Sequence, residues 1–462
     1  MNSKLRGAAN LLHLPFIFLL FGTACYISLH DPVYTDSWKR FPDCHYYLYQ
    51  STIPLASENF WFPTFSPALI PKPFTIPLIY KLAGSDPDRI IAMQKVLHFF
   101  SGFLLCSVIS IFIRKTAIRL ILGIAMVIIF CWWNILGWTG LLLSESLSFS
   151  FLFIWLSTFL LYYRYNNQIY IFIHMVAAVL LSFTRDSWPV VLIAFYTLSS
   201  LVFYFFRHPK MTGSLILFLF SILMFNVQQV AVQKGERHRI PILNNIVVRI
   251  LENKDYLAYF TARGMPQSDS LLKELNGINL RDPHNKGYIY NLYFNSRYAP
   301  LSRWIVEKGR HTYMSFLISH PSYFFMLHEP AVSTDLFFQR NLYGYTEVPV
   351  GLSTYMEDLF PVVSYLALLI FIVVLAIINL VKNNIVHIVF IIFCVTLVVN
   401  AVFIYNADSV EVERHLFFNS IFVEILGVTA ICFIFDNIGC LQPSRLRTIF
   451  KRSVAGLPHS SN

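Results

Sequence analysis

The sequence predicts an all-α polytopic membrane protein, and three observations predict it. Of 462 residues, 56% are hydrophobic and only 13% charged, roughly half the charge of an average soluble domain. The apolar residues gather into runs of roughly 20, the length that a hydrocarbon core about 30 Å thick demands of a helix. Between the runs the charges are sorted, with basic residues and no acids in alternate connections. Such a composition excludes disorder and a conventional soluble enzyme, which needs a charged, mixed surface. In lipid the backbone must satisfy its own hydrogen bonds, and helices do so.

The first run, near 8–29, starts basic with Lys4 and Arg6. Gly22-Thr23-Ala24-Cys25 is a poor lipobox and no clear Ala-x-Ala cleavage site follows, so the run reads as a retained anchor. Residues 30–90 form a long connection with Pro54, Pro63, Pro67, Pro71, Pro73 and Pro77 among Phe60, Trp61, Phe62 and Phe74. It is expected to lie along the interface as short broken helices. Runs near 91–113, 117–134, 143–163, 168–184, 187–206 and 211–233 follow. Between the second and third of these, Trp132, Trp133, Asn134, Gly137 and Trp138 suit an interfacial turn. A second long connection, 234–358, is more polar, carries helix-like stretches at 244–258 and 301–317, and reads as a small extramembrane domain. Runs near 359–381, 384–405 and 417–437 close the chain. The organisation is thus about ten spans: an N-terminal transmembrane module 1–233, an outer domain 234–358 and a C-terminal transmembrane module 359–462.

With a cytoplasmic N-terminus, the inner connections carry Arg114, Lys115, Arg119, Arg164, Arg207, Lys210, Lys382 and the basic tail Arg445, Arg447, Lys451 and Arg452. That is the positive-inside pattern. The formal net charge of +10 therefore reports topology and not nucleic-acid binding. Both termini fall on the cytoplasmic side, and both long connections on the other. Of the seven cysteines, only Cys44 falls in an expected loop and none has CxxC spacing, so neither a disulfide framework nor a zinc site is indicated. There is no nucleotide-binding glycine loop and no fixed-period repeat.

Acids near helix ends in lipid are costly unless they meet water or a partner, which makes their placement informative. Asp43 lies in Phe41-Pro42-Asp43-Cys44-His45-Tyr46-Tyr47-Leu48-Tyr49, where an aromatic helix begins; on residue type alone an N-cap is its commoner role. Glu145, in Leu143-Ser144-Glu145, starts a span and suits the helix dipole. Arg185 and Asp186, in Thr184-Arg185-Asp186-Ser187-Trp188-Pro189, occupy a tight turn and read alone as a local ion pair or a snorkelling arginine. All three map to the non-cytoplasmic face although about 140 residues separate the first from the last. Lys72, in Pro71-Lys72-Pro73-Phe74, and Glu413-Arg414-His415 map there too. Convergence of this kind suits a site that holds an anionic lipid headgroup and activates a hydroxyl. A charged rim around a helix bundle is the equally weighted alternative.

In this order of motifs the chain resembles the polyprenol-phosphate-sugar-dependent glycosyltransferases of the GT-C superfold, particularly bacterial members similar to protein O-mannosyltransferases and aminoarabinose transferases. Asp43-Cys44-His45-Tyr46-Tyr47-Leu48 resembles their Asp-Ser-x-x-Tyr-Leu, with Cys44 in place of Ser. Pro71-Lys72-Pro73-Phe74, then Ile79-Tyr80-Lys81-Leu82-Ala83-Gly84, then the Gln94 helix keep the family's order. Ser144-Glu145, Thr184-Arg185 and Glu413-Arg414-His415 are similar to its Ser-Glu, Thr-Arg and Glu-Arg-Tyr, with His415 and Asp186 as departures. Asp36, in Asp36-Ser37, is a second counterpart of the first motif, but Lys39 and Arg40 stand where Tyr and Leu belong. The likeness covers 8–206 well and 400–437 weakly.

The resemblance implies a GT-C-like bundle and a sugar transfer from a polyprenyl-phosphate donor to a hydroxyl of a lipid, glycan or protein acceptor. Asp43 would be the general base and Glu145 the orienting acid, with Lys72, Arg185, Arg414, His415 and Asp36 binding substrate. No cofactor is implied; related oligosaccharyl transferases use a divalent cation, for which Asp36, Asp43 and Glu145 are the oxygen donors on offer. It also implies a bacterial plasma membrane with the site on its periplasmic face, in contact with membrane lipid and no nucleic acid. A polytopic transporter or lipid flippase is the competing reading, although its charges belong near mid-bilayer. An O-antigen-ligase-like transferase acting on a lipid pyrophosphate is another, drawing on Arg237, His238, Arg239, Arg310, His311 and His320. A scaffold that uses the outer domain for protein contacts is a third.

Overall fold

The computed structural model describes residues 13–30, 42–63, 65–66, 69–205, 210–266, 295–325, 372–376, 385–407 and 412–437. Among them the regular structure is helical, apart from one isolated bridge between Ser66 and Leu69. Helix α1 is His13–Leu29, α2 Pro42–Thr52, α3 Thr75–Leu82, α4 Pro87–Ser110, α5 Thr116–Cys131, α6 Ser144–Tyr165, α7 Gln168–Ser182, α8 Trp188–Phe205 and α9 Met211–Lys234. Beyond α9 come α10 Arg239–Asn245, α11 Lys254–Thr261, α12 Ala299–Trp304, α13 Arg310–Ser319, α14 Ile385–Ala407 and α15 Val412–Asn437. The predicted run at 359–381 lies outside the described residues except for 372–376.

The chain is an all-α membrane protein. Helices α4, α6, α8, α9 and α14 are long and apolar enough to cross a membrane by length and composition; α1, α5 and α7 are apolar but shorter. Helix α9 is the most exposed of the long ones and shows Leu215, Leu219 and Leu223 on its surface, and Phe172 and Phe205 stand out similarly on α7 and α8. A water-soluble helix keeps its exposed face polar, so these faces suit lipid. By contrast α6 is almost wholly buried and lies against both α4 and α7. It is the hub of the bundle. On its other sides α8 lies against α9 and α14, and α15 lies against α5.

Polar side chains lock these apolar helices in register. Trp155 Nε1 donates to Tyr196 Oη at 2.7 Å and His174 Nε2 lies 2.6 Å from the same oxygen, which joins α6, α7 and α8. Asn400 Nδ2 donates to Asn419 Oδ1 at 2.9 Å between α14 and α15. At one end of the bundle Asp436 Oδ1 accepts from the backbone amides of Arg114 and Lys115, at 3.0 and 2.9 Å, so that α15 caps the start of α5 in place of a local residue. Lys210 donates to the carbonyls of Tyr162 and Tyr163 at that end, a cation at a helix C-terminus. The described basic residues Arg114, Lys115 and Lys210 thus lie at this end.

A second hydrophobic core lies outside the bundle, formed by Ile240, Leu243, Ile246, Phe260, Trp304, Ile305 and Phe316. Phe65 and Ile70 from the first long connection join it. The helix-like stretch expected at 244–258 is two pieces. Residues Ile246–Ile250 wind as a π-turn after α10, and the chain restarts at Asn253, whose side chain caps Asp255 and Tyr256. The stretch 301–317 is continuous but carries a π-turn at Ile305–Gly309, a feature that accommodates one extra residue. The interfacial turn expected around Trp132 to Trp138 is a short helix Trp133–Leu136 followed by a 3-10 turn Gly137–Gly140.

Candidate active site

Helix α2 begins at Pro42, whose fixed φ suits a first helical turn, and Asp43 sits inside that turn. Its carboxylate engages a distant chain segment: Lys72 Nζ donates to Asp43 Oδ1 at 2.7 Å, with side chains 12% and 24% exposed for Lys72 and Asp43. Two turns after Asp43 on the same helix, Gln50 fixes the lysine from behind. Its Oε1 accepts from Lys72 N at 3.1 Å, and its Nε2 donates to the carbonyls of Phe60 and Lys72 at 3.0 and 3.2 Å. The ammonium also lies over the rings of Tyr46 and Tyr47, at 5.6 and 5.4 Å, a cation–π contact with two aromatic faces. Lys81 donates to the carbonyls of Ser51 and Ile53, at 2.9 and 2.8 Å, and closes the C-terminal end of α2. After α3 the chain turns at Gly84, whose φ of +78° favours glycine.

The second acid comes from α6. Glu145 has no exposed side-chain surface, and Arg185 Nη2 lies 3.7 Å from its Oε1 with 10% of the arginine side chain exposed. Gln94 holds the approach to this acid: its Nε2 donates to the carbonyls of Thr139 and Leu141 at 3.1 and 2.9 Å. Tyr80 links the two acids. Its hydroxyl lies 3.3 Å from Gln94 Oε1 and 3.4 Å from the Leu143 carbonyl, while its ring meets that of Tyr47 at 6.3 Å. Burial holds the Tyr80 phenol well above its ordinary value, and Cys44, Tyr47 and Glu145 raise it further. Burial and then Asp43 raise Tyr46 likewise.

The third strand of the site is the turn between α7 and α8. Thr75 N donates to the Phe183 carbonyl at 3.1 Å, and Phe74 packs on Phe183 with ring centroids 4.4 Å apart. The Lys72 segment and the Arg185 turn are thereby joined. The Arg185 guanidinium lies 5.1 Å from the ring of Phe418 in α15. Asp43, Lys72, Glu145 and Arg185 thus meet at one end of the bundle, opposite Asp436.

Two readings of the sequence change. Among the described contacts Arg185 turns to Glu145 and not to its neighbour Asp186, whose Oδ1 accepts from Gln228 Nε2 and lies 3.0 Å from Arg237 Nη2. Adjacent residues in this turn face different partners, so local spacing misassigns the pair. Asp43 likewise lies one position inside the helix and not at its cap. Asp36 lies outside the described residues. Arg414 and His415 fall in the first turn of α15, and their side chains are outside the description. Tyr46, Tyr47, Gln50, Tyr80, Gln94 and Phe418 were not singled out as site residues. Gln50 and Gln94 did carry a signal, as amides among aromatic or apolar neighbours. Among the described residues no three His, Cys, Asp or Glu side chains form a metal-ligating group. No family model, curated protein or solved structure matches the chain.

Proposed function

We propose that the chain is an integral membrane glycosyltransferase of the GT-C type, with about ten spans. It moves a sugar from a polyprenyl-phosphate donor to an acceptor hydroxyl at the periplasmic face of a bacterial plasma membrane, and both termini are cytoplasmic. One observation carries the reading: two carboxylate–cation pairs from four distant segments, Asp43–Lys72 at 2.7 Å and Glu145–Arg185 at 3.7 Å, share one end of a bundle with lipid-compatible sides.

The acceptor oxygen attacks the anomeric carbon as the bond from that carbon to the phosphate oxygen breaks, which inverts the centre. The hydroxyl proton passes to the Asp43 carboxylate, and the departing phosphate keeps the electron pair of the broken bond. Lys72 neutralises Asp43 before substrate arrives. A donor phosphate competes for the ammonium, so its arrival loosens Asp43 for the acceptor and places a cation where charge grows. Arg185, held by Glu145, supplies a second cation beside the leaving group. The polyprenyl tail stays in lipid, since drawing its apolar surface into water is unfavourable. No cofactor enters the scheme, and turnover is expected to be unchanged by excess chelator.

The test is a transfer assay on purified protein in nanodiscs with a polyprenyl-phosphate sugar. General-base catalysis contributes roughly 100- to 10,000-fold, so Asp43→Asn is expected to lower the rate by that factor in protein that remains folded. Full transfer by a folded Asp43→Asn variant overturns the mechanism.

A further inference from the structure

Beyond the two acid–cation pairs, a second group of cations surrounds the loop that leaves α9. Gly235 lies against Pro63 and Pro71, so that a Cβ added there would meet Pro71 Cβ at 3.2 Å and the Pro63 carbonyl at 3.5 Å. The loop is therefore seated on the chain next to Lys72. Arg237 reaches Asp186, beside Arg185, and its side chain is only 7% exposed. Arg239 pairs with Glu236 and lies over the ring of Phe65 at 5.4 Å. Arg310, from α13 of the outer core, donates to the neutral Gln229 amide at 2.6 Å. His238 sits within the field of both Arg310 and Arg239.

Two features point to a ligand. The buried Nε atoms of Arg237 and Arg239 have no hydrogen-bond acceptor among the described residues and His238 Nδ1 has no partner there, whereas buried polar groups are ordinarily satisfied. Among the described residues the ion-pair partners are also short by one: Asp186 answers Arg237 and Glu236 answers Arg239, and the contact made by Arg310 is an uncharged amide. Unmet donors with a surplus positive charge fit an oxyanion.

We infer that Arg237, Arg239, Arg310 and His238 form an anion site for a phosphate or carboxylate carried by the acceptor. The inference rests on the transfer reading and adds a substrate class to it: an acceptor with an acidic group set apart from its reacting hydroxyl. Arg310 comes from the extramembrane core, and the loop adjoins both Lys72 and Arg185, so a molecule held there has its remaining part directed at the donor site.

The test uses the full chain in phosphatidylcholine nanodiscs and two probes, inorganic phosphate titrated in solution and phosphatidic acid incorporated in the disc. Binding is read by thermal shift and by native mass spectrometry. Wild type is expected to bind at least one probe, and Arg310→Gln to lose roughly tenfold or more in affinity, the loss of one charge-assisted contact. Arg310→Lys should recover part of it. Binding of phosphate in solution assigns a free anion, and binding of phosphatidic acid alone a lipid headgroup; either supports the site. Equal binding by wild type and Arg310→Gln, or no binding of either probe, overturns it. Absence of sugar transfer by the wild-type chain from polyprenyl-phosphate donors, with phosphate or phosphatidic acid still bound, would instead remove the transfer reading and leave the anion site standing.

Discussion

Glu145 has no exposed side-chain surface, and its described cation is Arg185 at 3.7 Å. Removing one member of a buried pair leaves an uncompensated charge, at a cost of about 3–5 kcal/mol, whereas replacing both with apolar residues is often neutral. Glu145→Ala and Arg185→Ala are therefore each expected to lower the melting temperature markedly, and Glu145→Leu with Arg185→Met to recover much of the loss. Tryptophan fluorescence during heating measures this, and strictly additive losses would show that the two side chains do not interact. His238 gives a pH signature at the same scale. Burial, then Arg310 and Arg239, hold its imidazole below the ordinary 6.5, so the folded chain binds that proton less readily than the unfolded one. The stability from neutral His238 is fully present above pH 6.5 and is lost as pH falls below 6.5 toward the depressed value. His238→Gln should flatten that acid limb of the stability curve, and an unchanged limb would count against the assignment.

At the scale of elements, the outer core is fastened to the bundle through the end of α14. Arg249 donates to the Tyr405 carbonyl and lies 3.7 Å from the centre of the Tyr405 ring. Asn245 Nδ2 donates to the Ala407 carbonyl at 3.2 Å, and Tyr313 Oη to the Asn406 carbonyl at 2.8 Å. These donors satisfy carbonyls that the helix end leaves open, and the guanidinium complements its dipole. Arg249→Met removes a charge-assisted bond of roughly 1.5–3 kcal/mol. Hydrogen exchange in α10 and α13 should rise about tenfold or more while α6 stays protected; uniform exchange across both regions would refute a local fastening. The helices themselves were legible because a run of apolar residues bounded by Pro87, Asn166-Asn167 or Lys210 states its own limits. Asn166 indeed ends α6 with a φ of 52° and Asn167 caps α7. The π-turns were not legible, since they depend on how α10 and α12 meet neighbours distant in sequence. Partner choice was hidden for the same reason: Asp186 lies beside Arg185 in the chain, yet the fold turns them to Arg237 and Glu145.

At the scale of the whole molecule, the two ends of the bundle differ in what their cations do. At one end Lys115 and Lys210 donate to the backbone carbonyls of Phe435, Tyr162 and Tyr163, which is a structural use. At the other, Lys72, Arg185 and Arg237 meet carboxylates from separate segments, an arrangement in which an incoming anion competes for the cation. The proposed chemistry requires that this second end face away from the cytoplasm, and exposed side chains mark both ends. Glu58 and Lys234 lie 3.2 Å apart beside the candidate site with 74% and 51% of their side chains exposed, and Arg164 is exposed at the far end of α6. In a cysteine-depleted background, Glu58→Cys and Lys234→Cys should react with a membrane-impermeant maleimide added to intact spheroplasts. Arg164→Cys should react only after the membrane is opened. Because the bundle sits in the membrane in one orientation, labelling of Arg164→Cys in intact cells with Glu58→Cys protected would invert the whole arrangement. The acid–cation pairs would then face the cytoplasm, and a transfer at the periplasmic face would be impossible for this chain.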